Sequence, residues 1–110
     1  HAVAMTLGPT LEFNAGITDD DCQHPLGADH VRSVIDEILQ ILDVPDASAG
    51  RTLFTDLIAE LGLESTLEGV GAGSFGARRE IAFSPPPSRL LTNPRRFDEA
   101  SQLHLIREIA

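Results

Sequence analysis

A chain of 110 residues, 42% of them hydrophobic, can bury one modest core but cannot hold a dinucleotide-binding half beside a catalytic half. Its formal net charge is −9 and all eight cations are arginine, so nucleic acid and anionic membrane surfaces are poor partners. The single cysteine, Cys22, excludes an internal disulfide and a cysteine-built zinc site. Neither a membrane-spanning apolar run nor a signal-peptide pattern is present, so the expected location is the cytoplasm. A first residue of histidine suggests a processed or excised chain.

His1 to Asn14 opens in the middle of a helical pattern, with Val3, Leu7 and Leu11 at four-residue spacing. Pro9 deletes a backbone hydrogen bond and crowds the preceding turn, so a kink or restart is expected at Gly8-Pro9. Phe13 is a candidate anchor. Residues 16–27 show little apolar periodicity and read as a loop. Its run Asp19 to Asp21, with Cys22 and His24 close by, fits neither a calcium loop nor a zinc motif; a solvated acidic loop is expected.

From Asp29 the periodicity is strong. Val31, Val34, Ile35, Ile38, Leu39, Ile41 and Leu42 fill one broad face, and Pro45 ends the helix. His30 falls in its first turn and reads as a surface residue, not a ligand. A third helix is expected over Ala49–Leu61, closed by Gly62 in a left-handed conformation with Leu63 folding back. Gly69 to Gly73 has neither a preceding strand nor a full G-x-G-x-x-G spacing, and reads as a flexible connector.

Phe75–Phe83 is expected to form a short helix with Phe75, Ile81 and Ala82 inward, and Pro85 to Pro87 a stiff spacer after it. The arginine pairs Arg78/Arg79 and Arg95/Arg96 read as solvated. Asn93-Pro94-Arg95 is a structural corner, because proline fixes its own φ and pushes Asn93 out of the helical region. Asp98 then caps a last helix that carries Leu103, Ile106 and Ala110 on one face, with Ile109 at its edge. The pattern as a whole predicts an all-α protein, a bundle of four to six helices in a single helical domain over 1–110. No catalytic constellation stands out: the serines have no glycine-flanked elbow and the four histidines make no H-x-x-x-H pair.

Three segments in order, HAVAMTLGPTLEFNAG, LFTDLIAELGLESTLEGVG and LLTNPRRFDEASQLHLIREIA, resemble the C-terminal helical domain of the iron-containing alcohol dehydrogenases. The resemblance implies an NAD(P)-dependent oxidoreductase with iron or zinc held by one Asp and three His between a nucleotide-binding domain and the helical domain. The metal would polarise the substrate oxygen during hydride transfer.

Departures from the family pattern are Pro9, which is shifted, Arg96 where a second proline is common, and the Pro85 to Pro87 run. The Asp-x-x-x-His ligand pair is absent. Matching Leu11-Glu12-Phe13-Asn14 to the family places its last metal histidine two residues before His1. The alternative makes His1 the ligand, at the cost of a two-residue deletion that turns the helix face by about 200°. No catalytic or cofactor-binding residue, and no cofactor, is then expected in this chain alone. Its expected partner is a separate nucleotide-binding domain or, if the chain is a free-standing binding module, a second copy in a homodimer.

Overall fold

The computed structural model describes all residues, His1–Ala110, and is all-α: six helices and no strand. The first, α1 (Ala2–Ala15), runs through Pro9 without a break. The expected interruption is absent, and Gly8 and Pro9 are both buried against the third helix, α3 (Ala47–Glu60). A Cβ at Gly8 would lie 3.2 Å from the Arg51 Cα, and one at Gly50 would lie 3.1 Å from Leu11 Cδ2. Two glycines thus let α1 and α3 approach closely, and that packing holds α1 helical across its missing hydrogen bond.

Helix α2 (Ala28–Leu42) buries Ala28, Val31, Ile35 and Leu39, while Ile41 is 83% exposed, so its broad apolar face is only partly covered. α3 starts at Ala47, two residues before the expected Ala49, because the Asp46 carboxylate accepts the Ala49 amide at 2.8 Å. Gly62 has φ +72° and the Leu63 amide donates to the Ile58 carbonyl at 3.1 Å, the expected closing turn. The glycine-rich connector after it is anchored: the Leu67 amide donates to the Ile109 carbonyl at 2.7 Å, and Leu67 is buried.

Helix α4 (Phe75–Ala82), capped by Ser74, buries Ala82 and half-buries Ile81, but Phe75 points outward and is 81% exposed. Phe83, just beyond the helix, takes the inward place with the Arg79 guanidinium 5.1 Å from its ring centroid. The proline run is more than a spacer. Pro87 opens a one-turn helix, α5 (Pro87–Leu90), at a position where its missing amide costs nothing. The last helix, α6 (Glu99–Glu108), is capped by Asp98, whose carboxylate accepts the Ser101 amide at 2.9 Å.

The buried side chains form two clusters. Leu11, Ile17, Ala28, Val31, Ile35 and Leu39 join the end of α1 to α2, and Met5, Leu67, Ala82, Ile106 and Ile109 join its start to the connector, α4 and α6. Helix α1 is therefore the spine common to both, and Ile109, expected at an edge, lies inside. The molecule measures 39 × 32 × 16 Å. A slab that thin has little depth for a core, which is why Leu57 and Leu61 remain 49% and 65% exposed.

Candidate functional site

The corner predicted at Asn93-Pro94-Arg95 is fastened to the end of α1 and to the acidic loop. Asn14, buried on the last turn of α1, donates to Asn93 Oδ1 at 3.1 Å, and Asn93 donates back to Asn14 Oδ1 at 2.8 Å. The Asn93 amide also donates to the Arg95 carbonyl at 2.6 Å, which tightens the turn around Pro94. Gln23 reaches across from the loop. Its side chain donates to the Asn93 carbonyl at 3.0 Å and its backbone amide to the Pro94 carbonyl at 2.8 Å. Beside it, Cys22 and Arg95 form an isolated antiparallel bridge.

Arg95, expected to be solvated, is instead the centre of this clasp. Its Nε donates to Asp21 Oδ2 at 2.8 Å, one terminal nitrogen donates to the Phe13 carbonyl at 2.7 Å, and the guanidinium lies 4.4 Å from the Phe13 ring centroid. Phe13 in turn meets Phe97 edge-on at 5.1 Å. The Phe13 carbonyl belongs to the last turn of α1, where unpaired carbonyls attract a cation. Arg96 does stay exposed, touching only the Asp20 carbonyl with its side chain.

The run Asp19 to Asp21 divides accordingly. Asp19 and Asp20 are exposed, whereas Asp21 is half-buried and accepts the Thr18 amide at 2.7 Å. Burial works against the Asp21 charge, but the Thr18 amide and the Arg95 guanidinium outweigh it and hold the carboxyl below its ordinary range.

The clasp borders a groove of about 340 Å³ between α1 and α2, to which both Asn14 and Pro94 contribute. Leu7, Leu11, Val31, Ile35 and Phe54 make its walls apolar. Two imidazoles also line it, His24 and His30, with ring centroids 5.2 Å apart. The Leu26 amide donates to His24 Nδ1 at 3.1 Å, so a neutral His24 carries its proton on Nε2. The groove offers binding chemistry, an apolar slot with imidazoles beside it. Periodicity and spacing did not single it out, because its two histidines sit on a loop and a helix start that only the folded chain brings together.

His1 stands apart from this groove, exposed, with Nε2 donating to the Glu64 carbonyl. That leaves one ring nitrogen free, and the structure holds no group of three or more His, Cys, Asp or Glu side chains arranged for a metal ion. The side chains of this chain therefore do not by themselves fit the metal centre that the family resemblance implies. The connector does not fit a dinucleotide phosphate either: no strand precedes Gly69 to Gly73, and the amides of Gly69, Val70, Gly71 and Ala72 donate to Thr66, Leu67 and Glu68 just before them.

No family profile matches the chain, and no solved structure does. Among curated proteins, the chain is 30% identical over 113 aligned positions to a phosphonoacetaldehyde reductase from Streptomyces viridochromogenes. The match takes in 98% of this chain but only 26% of the reductase, so the chain spans about a quarter of the length of that relative. What these residues establish is an all-helical chain distantly similar to part of a reductase.

Proposed function

We propose that this chain is the C-terminal helical, substrate-side part of an iron-containing alcohol dehydrogenase-like NAD(P)-dependent oxidoreductase, and that it does not transfer hydride alone. The observation that carries the reading is the similarity to one stretch of a reductase over nearly the whole chain. The three ordered motifs support it, and so does the clasp, which gives the Thr-Asn-Pro-Arg corner a reason to exist in such a domain. The chain's own side chains bind and orient: the α1–α2 groove takes an apolar surface, and the clasp fixes the end of α1 against the corner. Iron or zinc and NAD(P), held largely by a nucleotide-binding domain, would supply the redox chemistry in the full enzyme.

The test is an assay of the purified chain with NAD(P)H, ferrous or zinc ion, and a panel of aldehydes. No turnover is expected, and robust turnover would overturn the reading. In a second arm, the remaining three-quarters of the Streptomyces reductase is co-expressed with the tagged chain, and co-purification is the expected result.

A second reading, a free-standing module that pairs with its own copy, is favoured by Leu53, Leu57 and Leu61. They recur at helical spacing along α3 and its closing residue, Leu61, and are 40%, 49% and 65% exposed. Light scattering of the isolated chain separates the two: a stable dimer with no affinity for the reductase remainder supports the module.

A further inference from the structure

Buried polar side chains in folded proteins almost always find hydrogen-bond partners in the protein or in water, and one with no protein partner keeps its donors and acceptor for solvent or a ligand. Gln102, on the inner face of α6, is only 6% exposed. Its side-chain amide makes no hydrogen bond within the protein, yet neither amide atom is sealed from solvent: the only fully enclosed, unpartnered side-chain atom is Arg78 Nε. The remaining exposure of Gln102 opens into a cleft of about 310 Å³ between α1, α6 and the end of α4.

This cleft shares only Thr10 with the α1–α2 groove and has neither of its histidines. Val3, Ile81, Phe97 and Leu105 make its walls, and Thr10 brings a hydroxyl that also has no protein partner. No charged side chain lines it. An apolar slot with an amide at its base and no cation selects a neutral molecule whose polar end both donates and accepts, since an amide can pair with such a group through both of its own atoms.

We propose that the Gln102 cleft is a binding site for a short, uncharged aliphatic ligand ending in a carboxamide or a similar donor–acceptor group. The carboxamide pairs with the Gln102 amide while the aliphatic tail lies against Phe97 and Leu105. The inference is independent of any oxidoreductase role, because it rests on the cleft alone. A carboxylate of the same length has no cation to meet it and must leave water for an apolar wall, so it is rejected.

The probe is pentanamide, with pentanoate as its charged isostere, titrated into the isotope-labelled chain and followed by NMR. With about seven non-hydrogen atoms, pentanamide is expected to bind with a Kd near 1 mM. Saturable shifts are expected at the Gln102 side-chain amide and at the Leu105 and Ile106 methyls, with pentanoate at least about tenfold weaker. Gln102→Leu is expected to weaken pentanamide about tenfold, because the amide that pairs with it is gone. Gln102→Met, which keeps the length and flexibility of the side chain, repeats the binding test should the leucine variant not fold. Absence of saturable binding, equal binding of pentanoate, or undiminished binding by both variants would each overturn the proposal.

Discussion

Asn14 and Asn93, separated by 79 positions in sequence, exchange hydrogen bonds in both directions through their side-chain amides, at 3.1 and 2.8 Å. Each amide satisfies the other, so truncating either leaves a polar group in a mostly dry place. Asn14→Ala and Asn93→Ala are each expected to cost about 1–3 kcal/mol. The double variant should cost clearly less than the sum, because the second truncation removes a group already orphaned. Urea unfolding of the four proteins measures the cycle, and strict additivity would mean that the pair is not coupled.

Arg95 binds Asp21, the Phe13 carbonyl and the Phe13 ring at once, with only 24% of its side chain exposed. Arg95→Met keeps much of the apolar stem but strands the Asp21 carboxylate and the carbonyl. A loss of about 2 kcal/mol is expected, and Arg95→Lys should recover only part of it, since an ammonium cannot make the forked contact. Chemical denaturation of both variants provides the check.

The acid branch of stability follows from three carboxyls. That of Glu108 is held low first by the hydrogen bond from Arg51, that of Asp98 first by the Ser101 amide, and that of Asp21 by Thr18 and Arg95 against its burial. A folded pKa below the unfolded one adds stability in full above the unfolded value and forfeits it as pH falls through the folded value. With ordinary values of 3.8 for the aspartates and 4.5 for the glutamate, Tm should be level above about pH 5 and fall steadily below about pH 4. In Arg95→Met the fall should be shallower, because the Asp21 shift is diminished; an unchanged acid branch would contradict the role given to Arg95.

The two glycines where α1 meets α3 predict opposite responses to alanine. At Gly50 the nearest atom to a new Cβ is the mobile tip of Leu11, at 3.1 Å, so the helix-propensity gain of up to about 1 kcal/mol should survive. At Gly8 the neighbours at 3.2 and 3.3 Å are backbone atoms of Arg51, so the helices must separate. Gly8→Ala is therefore expected to be destabilising by about 1 kcal/mol net, and Gly50→Ala neutral or stabilising. Thermal unfolding of the two single variants decides it.

Much of the helical framework is legible in the sequence because its signals are local. Asp98 and the left-handed Gly62 turn act within a few residues of themselves, and the periodicity of α2 needs nothing beyond α2. The clasp is a different matter. Arg95 reads as a solvated cation until the fold brings Asp21 and Phe13 to it across 74 and 82 positions. Phe75 reads as inward because aromatics usually are, but α4 is so short that Ala82 and the following Phe83 cover its share of the core. Pro9 reads as a break because a single chain does not reveal that α3 will brace it. The Gln102 cleft is invisible for the same reason: a glutamine on a helix reads as surface until the wall opposite it is known.

The oxidoreductase reading is tested by replacing the quarter of the Streptomyces reductase that this chain matches with this chain and following NAD(P)H oxidation with phosphonoacetaldehyde, the relative's own substrate by name. The account predicts a folded chimera that turns over its substrate while the isolated chain does not. A folded, metal-loaded chimera without activity, or an isolated chain that oxidises NAD(P)H by itself, would contradict it.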